Sequence, residues 1–125
     1  MSRHAVFKLA VIIAFLCFAV SWVARAHQAP SGWEYDASCC SQQDCAPAPD
    51  GAVREVAGGW RVTLRAGENP RVKSGEVSFF VPYGDRRIKP SGDGHFHPCL
   101  FPDVINETAQ QGLTLLCLYV PPGGV

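Results

Sequence analysis

Cysteine content constrains this chain more than any other feature. Three of its six cysteines, Cys39, Cys40 and Cys45, lie within one short stretch, and Cys99 and Cys117 lie far downstream. In a small exported chain, this content is typical of a disulfide framework. Adjacent cysteines rarely bond each other because the ring that they would close is strained, so Cys39 and Cys40 are expected to reach separate partners. All five are disulfide candidates, and their odd number leaves the pairing open.

The first 26 residues have the features of a secretory signal peptide. Two basic residues precede an apolar run at residues 9–23, and residues 24–26 (Ala-Arg-Ala) are typical of a cleavage site. The run is shorter than the roughly 20 residues that span a bilayer core, which favours a cleaved signal over a membrane anchor. We therefore expect residues 1–26, which include Cys17, to be removed. The mature chain would be a single small domain, residues 27–125, without a membrane span.

Compartment and charge limit the class of partner. Cleavage would remove three basic residues and no acidic ones, leaving 8 basic and 11 acidic residues and a formal charge of −3. Since no basic stripe is present, nucleic acid is not expected as a partner. The signal and the cysteines together predict a periplasmic or secreted protein. Its expected partner is an unidentified protein or small ligand of the cell envelope.

Alternating and continuous apolar residues predict a mostly β fold. Residues 52–57 and 60–65 flank Gly58-Gly59 and are typical of a tight hairpin. Residues 76–81 form a further strand, and the apolar run at 113–120 is typical of a central strand buried on both faces. A short helix is predicted at residues 102–111, between a proline and a glycine. The fold class is thus a compact, disulfide-stabilised antiparallel sheet with one short helix, or a small α+β domain.

Several motifs together resemble a group of small exported proteins of Gram-negative bacteria. These motifs are an export signal, an early Cys-Cys-x4-Cys with Asp before the third cysteine, a Ser-x-Asp-Gly-x-Phe-His-x-Cys segment, and a Leu-Cys-Leu strand that ends in Pro-Pro-Gly. The residues concerned are Cys39, Cys40, Asp44, Cys45, Ser91, Asp93, Gly94, Phe96, His97, Cys99, Cys117, Pro121, Pro122 and Gly123. The resemblance implies a periplasmic location and a disulfide-linked fold, and it implies no activity.

Three histidines suggest a copper site as one hypothesis. If the signal is cleaved after residue 26, His27 becomes the first residue, and its α-amine and imidazole could chelate copper together. His95 or His97 could supply a second imidazole, since residues two apart in a strand point to the same side. The alternative is that His27 is a disordered first residue and that His95 and His97 are turn and surface residues.

The turn at residues 91–99 is the predicted binding surface. It concentrates Asp93, His95, Phe96 and His97, for which the sequence indicates no core role. We therefore predict a binding module without catalytic residues or a cofactor, and copper binding is the alternative.

Other chemistries have weaker support in the sequence. The absence of a Cys-x-x-Cys pair argues against thioredoxin-like activity and against a typical zinc site that would combine these cysteines with His97. A nucleophilic thiol would need a histidine base beside it. Asp85, Asp93 and Asp103 lie in turn or helix-start contexts, where aspartate has local structural roles. An enzyme is therefore the less favoured class.

Overall fold

Two small three-stranded sheets form the centre of the fold. The computed structural model describes residues 1–20, 27–40, 44–103, 105 and 109–123, with the side chains of residues 17–20 excepted. Its elements are α1 (Arg3–Val20), β1 (Val53–Val56), β2 (Gly59–Arg65), β3 (Glu76–Pro82), β4 (Ile88–Pro90), β5 (His97–Pro102) and β6 (Leu113–Val120). The strands form two three-stranded sheets in the orders β1-β2-β3 and β4-β6-β5. The predicted mostly β, disulfide-stabilised fold is confirmed.

The first sheet is an antiparallel meander whose two faces differ. Its inner face consists of apolar side chains at every second position, and these are Val53, Trp60, Val62, Leu64, Val77, Phe79 and Val81. Its outer face is wet, with Phe80 39% exposed and the Arg61 guanidinium 5.4 Å from the centre of the Phe80 ring. The alternation of apolar and polar residues in β2 and β3 therefore indicates a sheet with one buried face, as period-two patterning predicts.

The hairpin turn differs by one residue from the predicted two-glycine loop. Val56 pairs with Gly59, so the loop is Ala57-Gly58. Gly58 supplies the positive φ, +81°, that tight hairpin turns require. Gly59 is instead the first residue of β2, and a Cβ there would lie 2.2 Å from the carbonyl oxygen of Val81. The second glycine is thus explained by close strand packing.

The second sheet places β6 at its centre. β5 pairs with β6 in the antiparallel sense, and β4 pairs with it in parallel. The side chains of β6 are buried or half-buried throughout, which confirms a central strand covered on both faces. Parallel strands cannot be joined by a short hairpin and need a long connection. Here the connection from β4 to β6 includes β5.

Two separate buried layers cover the faces of the second sheet. The first, the inter-sheet core, comprises Val53, Trp60, Val62, Leu64, Val72, Val77, Phe79, Val81, Leu100, Leu113, Leu115 and Leu118. The second, the cystine layer, comprises Ala29, Tyr35, Cys39, Cys40, Cys45, Cys99, Cys117 and Tyr119. The lead-in, residues 27–40, therefore closes the side of the second sheet that faces away from the first.

The predicted helix at residues 102–111 is wrong for the residues that the structure describes. Pro102 is the last residue of β5, and Asp103, Ile105 and residues 109–111 are not helical. The rest of that segment lies outside the described residues. Asp103 N–H donates to the carbonyl of Gly112 at 2.8 Å, so β5 and β6 stay joined across the segment. Strand pairing therefore overrides the proline and glycine boundary signals.

Helix α1 lies within the predicted signal peptide. Its large apolar side chains up to residue 16 are exposed, and they belong to neither buried layer. Within the described part of the chain, no helix combines the length and the apolar character needed to cross a membrane.

Candidate functional site

Two disulfides fasten the lead-in and the segment after it to the second sheet. Cys39 bonds to Cys117 in β6, and Cys45 bonds to Cys99 in β5. The adjacent cysteines therefore do have separate fates, as the strain argument predicts. Cys40 is buried in the cystine layer and takes part in neither disulfide. Two such bonds are typical of a protein that folds in an oxidising compartment outside the cytoplasm.

The carboxylate of Asp93 is the polar centre of this face. Four side chains and one backbone N–H surround it. Oδ2 accepts hydrogen bonds from the Ser31 hydroxyl at 2.5 Å and the Trp33 indole N–H at 3.0 Å. Oδ1 accepts from the Ser91 hydroxyl at 3.0 Å and the backbone N–H of His95 at 2.9 Å. Asp93 therefore joins the lead-in to the turn between β4 and β5.

A buried histidine extends this network into the cystine layer. His97 Nε2 lies 2.8 Å from Asp93 Oδ1, and His97 Nδ1 lies 2.7 Å from the Tyr35 hydroxyl. Because an ionised carboxylate only accepts, we assign the proton to Nε2. In the neutral ring, Nδ1 then accepts from the Tyr35 hydroxyl. His97 is 0% exposed and Tyr35 is 2% exposed, so both groups are sealed from water.

Burial and hydrogen bonding act in opposite directions on the acids of the network. Burial alone would raise the pKa of Asp93, but the hydrogen bonds from Ser31, Trp33, His97 and the His95 backbone outweigh it and hold that pKa well below its ordinary value. Burial raises the pKa of the Tyr35 phenol, and the neighbouring Cys40 and Asp93 act in the same direction. The network therefore contains an ionised aspartate and a neutral tyrosine across the physiological pH range.

The order of groups matches a catalytic relay, but their burial does not suit one. Tyr35, His97 and Asp93 lie in the sequence of nucleophile, base and orienting acid. Catalysis would require the phenol oxygen to meet a substrate, whereas it faces the cystine layer. The Trp33 ring closes the network further, with its centroid 5.0 Å from that of His97 and 5.1 Å from that of Tyr119. In this arrangement the network holds the lead-in on the second sheet.

The four residues of the predicted binding surface have different positions. Asp93 and His97 have internal partners, as described above. Phe96 is half-buried and packs on Trp60 at the rim of the inter-sheet core, with ring centroids 5.1 Å apart. His95 is exposed. Of the predicted surface, His95 is thus the side chain that is most available to a ligand.

His95 and Asp93 lie together on an open cleft of about 660 Å³. Three prolines, two small residues and a second acid complete its wall. The lining residues are Pro30, Ser31, Pro47, Ala48, Pro49, Asp50, Asp93 and His95. Its size falls within the range of small-ligand sites, and its walls are stiff because proline restricts the backbone.

The predicted metal ligands are only partly brought together. His27 is half-buried, and its ring stacks on Tyr35 with centroids 5.8 Å apart. Both nitrogens of His97 already have hydrogen-bond partners, so His97 could bind a metal only after these bonds break. Among the residues with described side chains, no three His, Cys, Asp or Glu side chains are grouped to hold one metal ion. Four of the five candidate sulfurs are oxidised in disulfides.

Sequence reasoning missed most partners of Asp93. The sequence patterns do not identify Ser31, Trp33 or Ser91 as partners of Asp93, or Tyr35 as a partner of His97. The available signal was the i, i+2 spacing of Trp33 and Tyr35, which places two rings with polar tips on one side of an extended segment. Their partners, Asp93 for Trp33 and His97 for Tyr35, depend on the way that the chain returns.

Comparisons of the chain with protein-family models, with curated proteins and with solved structures give no match. The fold and site define a small β protein with two disulfides and a Tyr-His-Asp network whose tyrosine and histidine are buried.

Proposed function

We infer that this protein is an exported, disulfide-stabilised binding module whose ligand site is the cleft at His95. The observation that carries this proposal is the Asp93 carboxylate, which accepts five hydrogen bonds from the lead-in and from residues 91–97. It thereby joins the Ser31 and His95 parts of the cleft wall before any ligand arrives. A preformed site loses less conformational entropy on binding than a flexible one.

The chemistry of the cleft suits a ligand that has both apolar and polar groups. Pro30, Pro47 and Pro49 offer flat apolar contacts, while the exposed His95 imidazole can donate or accept a hydrogen bond. Asp50 adds a carboxylate at the edge. Catalysis has less support, because the groups that could act as base and nucleophile are sealed beneath the cleft. The ligand would therefore be bound and released unchanged.

Fragment screening by NMR on the isotope-labelled, oxidised protein would test this site. We expect saturable shift changes from a library of small polar aromatics and proline-containing dipeptides. These changes should centre on the amides of Ser31, Asp50 and His95. His95→Ala should weaken the best fragment by about tenfold, which corresponds to about one lost hydrogen bond. Arg65→Ala, on the outer face of the first sheet, is the control. Hits that centre elsewhere, or equal loss with both variants, would contradict the proposal.

Copper binding is a second candidate, now reduced to His27 and His95. The observation that favours it is the His27 ring stacked on Tyr35, whose hydroxyl bonds to His97, two residues after His95 in the same turn. Cu(II) titration of protein that begins at residue 27 should give tighter binding than titration of protein with one extra N-terminal residue. His95→Ala should weaken the tighter binding. Equal affinities for the two N-termini would reject this candidate.

Export to the periplasm completes the proposal. It is supported by the resemblance to small exported Gram-negative proteins, by the two disulfides and by the absence of α1 from either buried layer. The mass of protein recovered from the periplasmic fraction of an expressing bacterium should equal that of residues 27–125 with four cysteines oxidised. A full-length mass, or protein confined to the cytoplasm, would contradict export.

A further inference from the structure

A second depression, of about 770 Å³, lies beside the Cys39–Cys117 disulfide. It is formed where the chain enters β4 and runs along the first half of β6, and it shares no lining residue with the cleft at His95. Its rim carries Arg86, Arg87 and Lys89. Asp85 is the acid that lines it, so the lining charges sum to +2 on a chain whose formal net charge is zero.

Two of the three cations are held in place by carboxylates. Asp85 binds the Arg87 guanidinium through two hydrogen bonds, from Nε at 3.0 Å and from one terminal nitrogen at 2.8 Å. These bonds use two of the five N–H donors of the guanidinium and leave three for a ligand. Lys89 Nζ lies 3.7 Å from Asp36 Oδ2. The orientation of Arg87 is therefore set before an anion binds.

The third cation has no such constraint. Arg86 is exposed, and among the described residues no carboxylate lies within ion-pair distance of its guanidinium. Its charge nevertheless acts on Asp85 and, together with Arg87, holds the pKa of Asp85 below its ordinary value; the hydrogen bonds from Arg87 are the main cause. Asp85 therefore stays ionised, and Arg87 stays fixed, whenever a weakly acidic ligand is itself ionised.

The β6 side of the depression is partly apolar. Leu116 lines it and is only half-buried, whereas the Leu115 side chain is buried in the inter-sheet core, and Ser38 and Thr114 add polar lining. The Cys117 end of the disulfide closes one side. An anion alone would leave Leu116 exposed to water, whereas an alkyl chain would cover it and gain about 0.8 kcal/mol for each methylene that it buries.

We propose that this depression binds a single-chain amphiphilic anion, with its phosphate or carboxylate head on Arg86, Arg87 and Lys89 and its alkyl tail on Leu116. Arginine suits such heads because its donors match pairs of carboxylate or phosphate oxygens. The concave shape and the limited volume favour one short chain over the flat surface of a bilayer. This site is independent of the proposed function at His95, so either can fail alone.

Calorimetric titration of the oxidised full chain with octyl phosphate, below its micelle concentration, tests the proposal. We expect saturable one-to-one binding, at least tenfold weaker binding of inorganic phosphate, and no saturable binding of octyl glucoside. The double variant Arg86→Ala/Lys89→Ala should weaken octyl phosphate binding at least tenfold, since it removes two charged contacts. Leu116→Gln should weaken octyl phosphate binding and leave inorganic phosphate unaffected.

The matched control is Arg61→Ala/Lys73→Ala, which removes the same charge from exposed positions away from the depression. It should change the affinity by less than twofold. An unchanged unfolding midpoint in each variant verifies that the fold persists. Equal weakening by the control, equal binding of octyl glucoside, or binding only to phosphatidylglycerol vesicles would overturn the proposal. The last result would assign the basic rim to a membrane surface.

Discussion

The two faces of the second sheet are covered in physically different ways. On one face, the inter-sheet core consists entirely of apolar side chains contributed by both sheets and by Val72. On the other, the cystine layer is held by two disulfides and by the polar network of Asp93. The first layer depends on regular strands that bury one face each. The cystine layer covers the sheet with a segment that has almost no regular structure. Because this segment buries little apolar surface, disulfides and hydrogen bonds hold it in place.

This difference teaches where rigidity in a small domain originates. The lead-in, residues 27–40, contributes few apolar side chains, and these alone would not offset the entropy of ordering it. Crosslinks lower the entropy of the unfolded chain, and buried polar bonds fix one arrangement among many. The outer layer is thus where a binding surface can be both irregular and stiff.

Truncation in the inter-sheet core should have the largest effect. Leu64 is fully buried in β2, so Leu64→Ala should lower the free energy of unfolding by about 4 kcal/mol through lost transfer free energy and the cavity it leaves. Urea denaturation at neutral pH measures this. Lys73→Ala, at an exposed position, is the control and should stay within about 0.5 kcal/mol. A loss below about 1 kcal/mol for Leu64→Ala would mean that the disulfides, and not the core, dominate stability.

Removing the Cys39–Cys117 disulfide, which encloses the Cys45–Cys99 disulfide in sequence, should cause the next largest loss of stability. Cys39→Ala/Cys117→Ala opens a link of sequence separation 78, within which the inner bridge of separation 54 remains. Because the inner bridge already shortens the loop, the expected loss is about 3 kcal/mol. Cys40→Ala, which keeps both disulfides, is the matched control.

Hydrogen exchange on the same variant would sharpen the comparison of layers. Amides of residues 27–40 should lose protection by far more than those of β2 and β3, since the lead-in can open locally while the inter-sheet core stays closed. Equal loss of protection across all three segments would instead indicate that the two layers unfold as one unit.

Neutralising the Asp93 carboxylate should lower the free energy of unfolding by less than the core and disulfide variants do. The size of this loss should depend on pH. Asp93→Asn removes a half-buried charge that accepts five hydrogen bonds, with an expected loss of about 2 kcal/mol at pH 7. The pKa of Asp93 is lower in the folded state than in the unfolded state, so ionised Asp93 stabilises the fold. This stabilisation is complete above the ordinary aspartate pKa and is lost as the pH falls from there toward the folded-state pKa. The difference between wild type and variant should therefore shrink from pH 7 to pH 3. Exposed Asp50→Asn is the control, and a difference that grows on acidification would refute the assignment.

The smallest predicted effect concerns the Tyr35 hydroxyl. Tyr35→Phe keeps the ring in the cystine layer and leaves His97 Nδ1 without its partner, which should cost about 1 kcal/mol. Tyr83→Phe, whose hydroxyl contacts Glu55 at the surface, should cost less than half of that. Thermal unfolding of the two variants in parallel measures the contrast, and equal losses would remove the distinction between the buried and the exposed phenol.

Local patterns were sufficient for much of the fold. The period-two residues of β2 and β3 and the apolar run of β6 depend only on burying side chains on one face or on both, and the structure has these strands where they were predicted. The predicted helix failed because a proline and a glycine mark boundaries without saying which element lies between them. The candidate site was less predictable, since Asp93 and His97 lie in the predicted turn but their partners Ser31 and Tyr35 are about sixty residues away.

The amino-acid sequence by itself determined the disulfide chemistry, the strand content and the residues from which a site could be built. Only the tertiary structure decided that Cys39 bonds to Cys117, that His97 is sealed while His95 is exposed, and that the Arg87 side chain lies fixed beside a partly apolar depression. The reason is physical. Strand patterns record contacts between near neighbours, whereas disulfide pairing and buried polar networks depend on where distant segments meet once the sheets have packed.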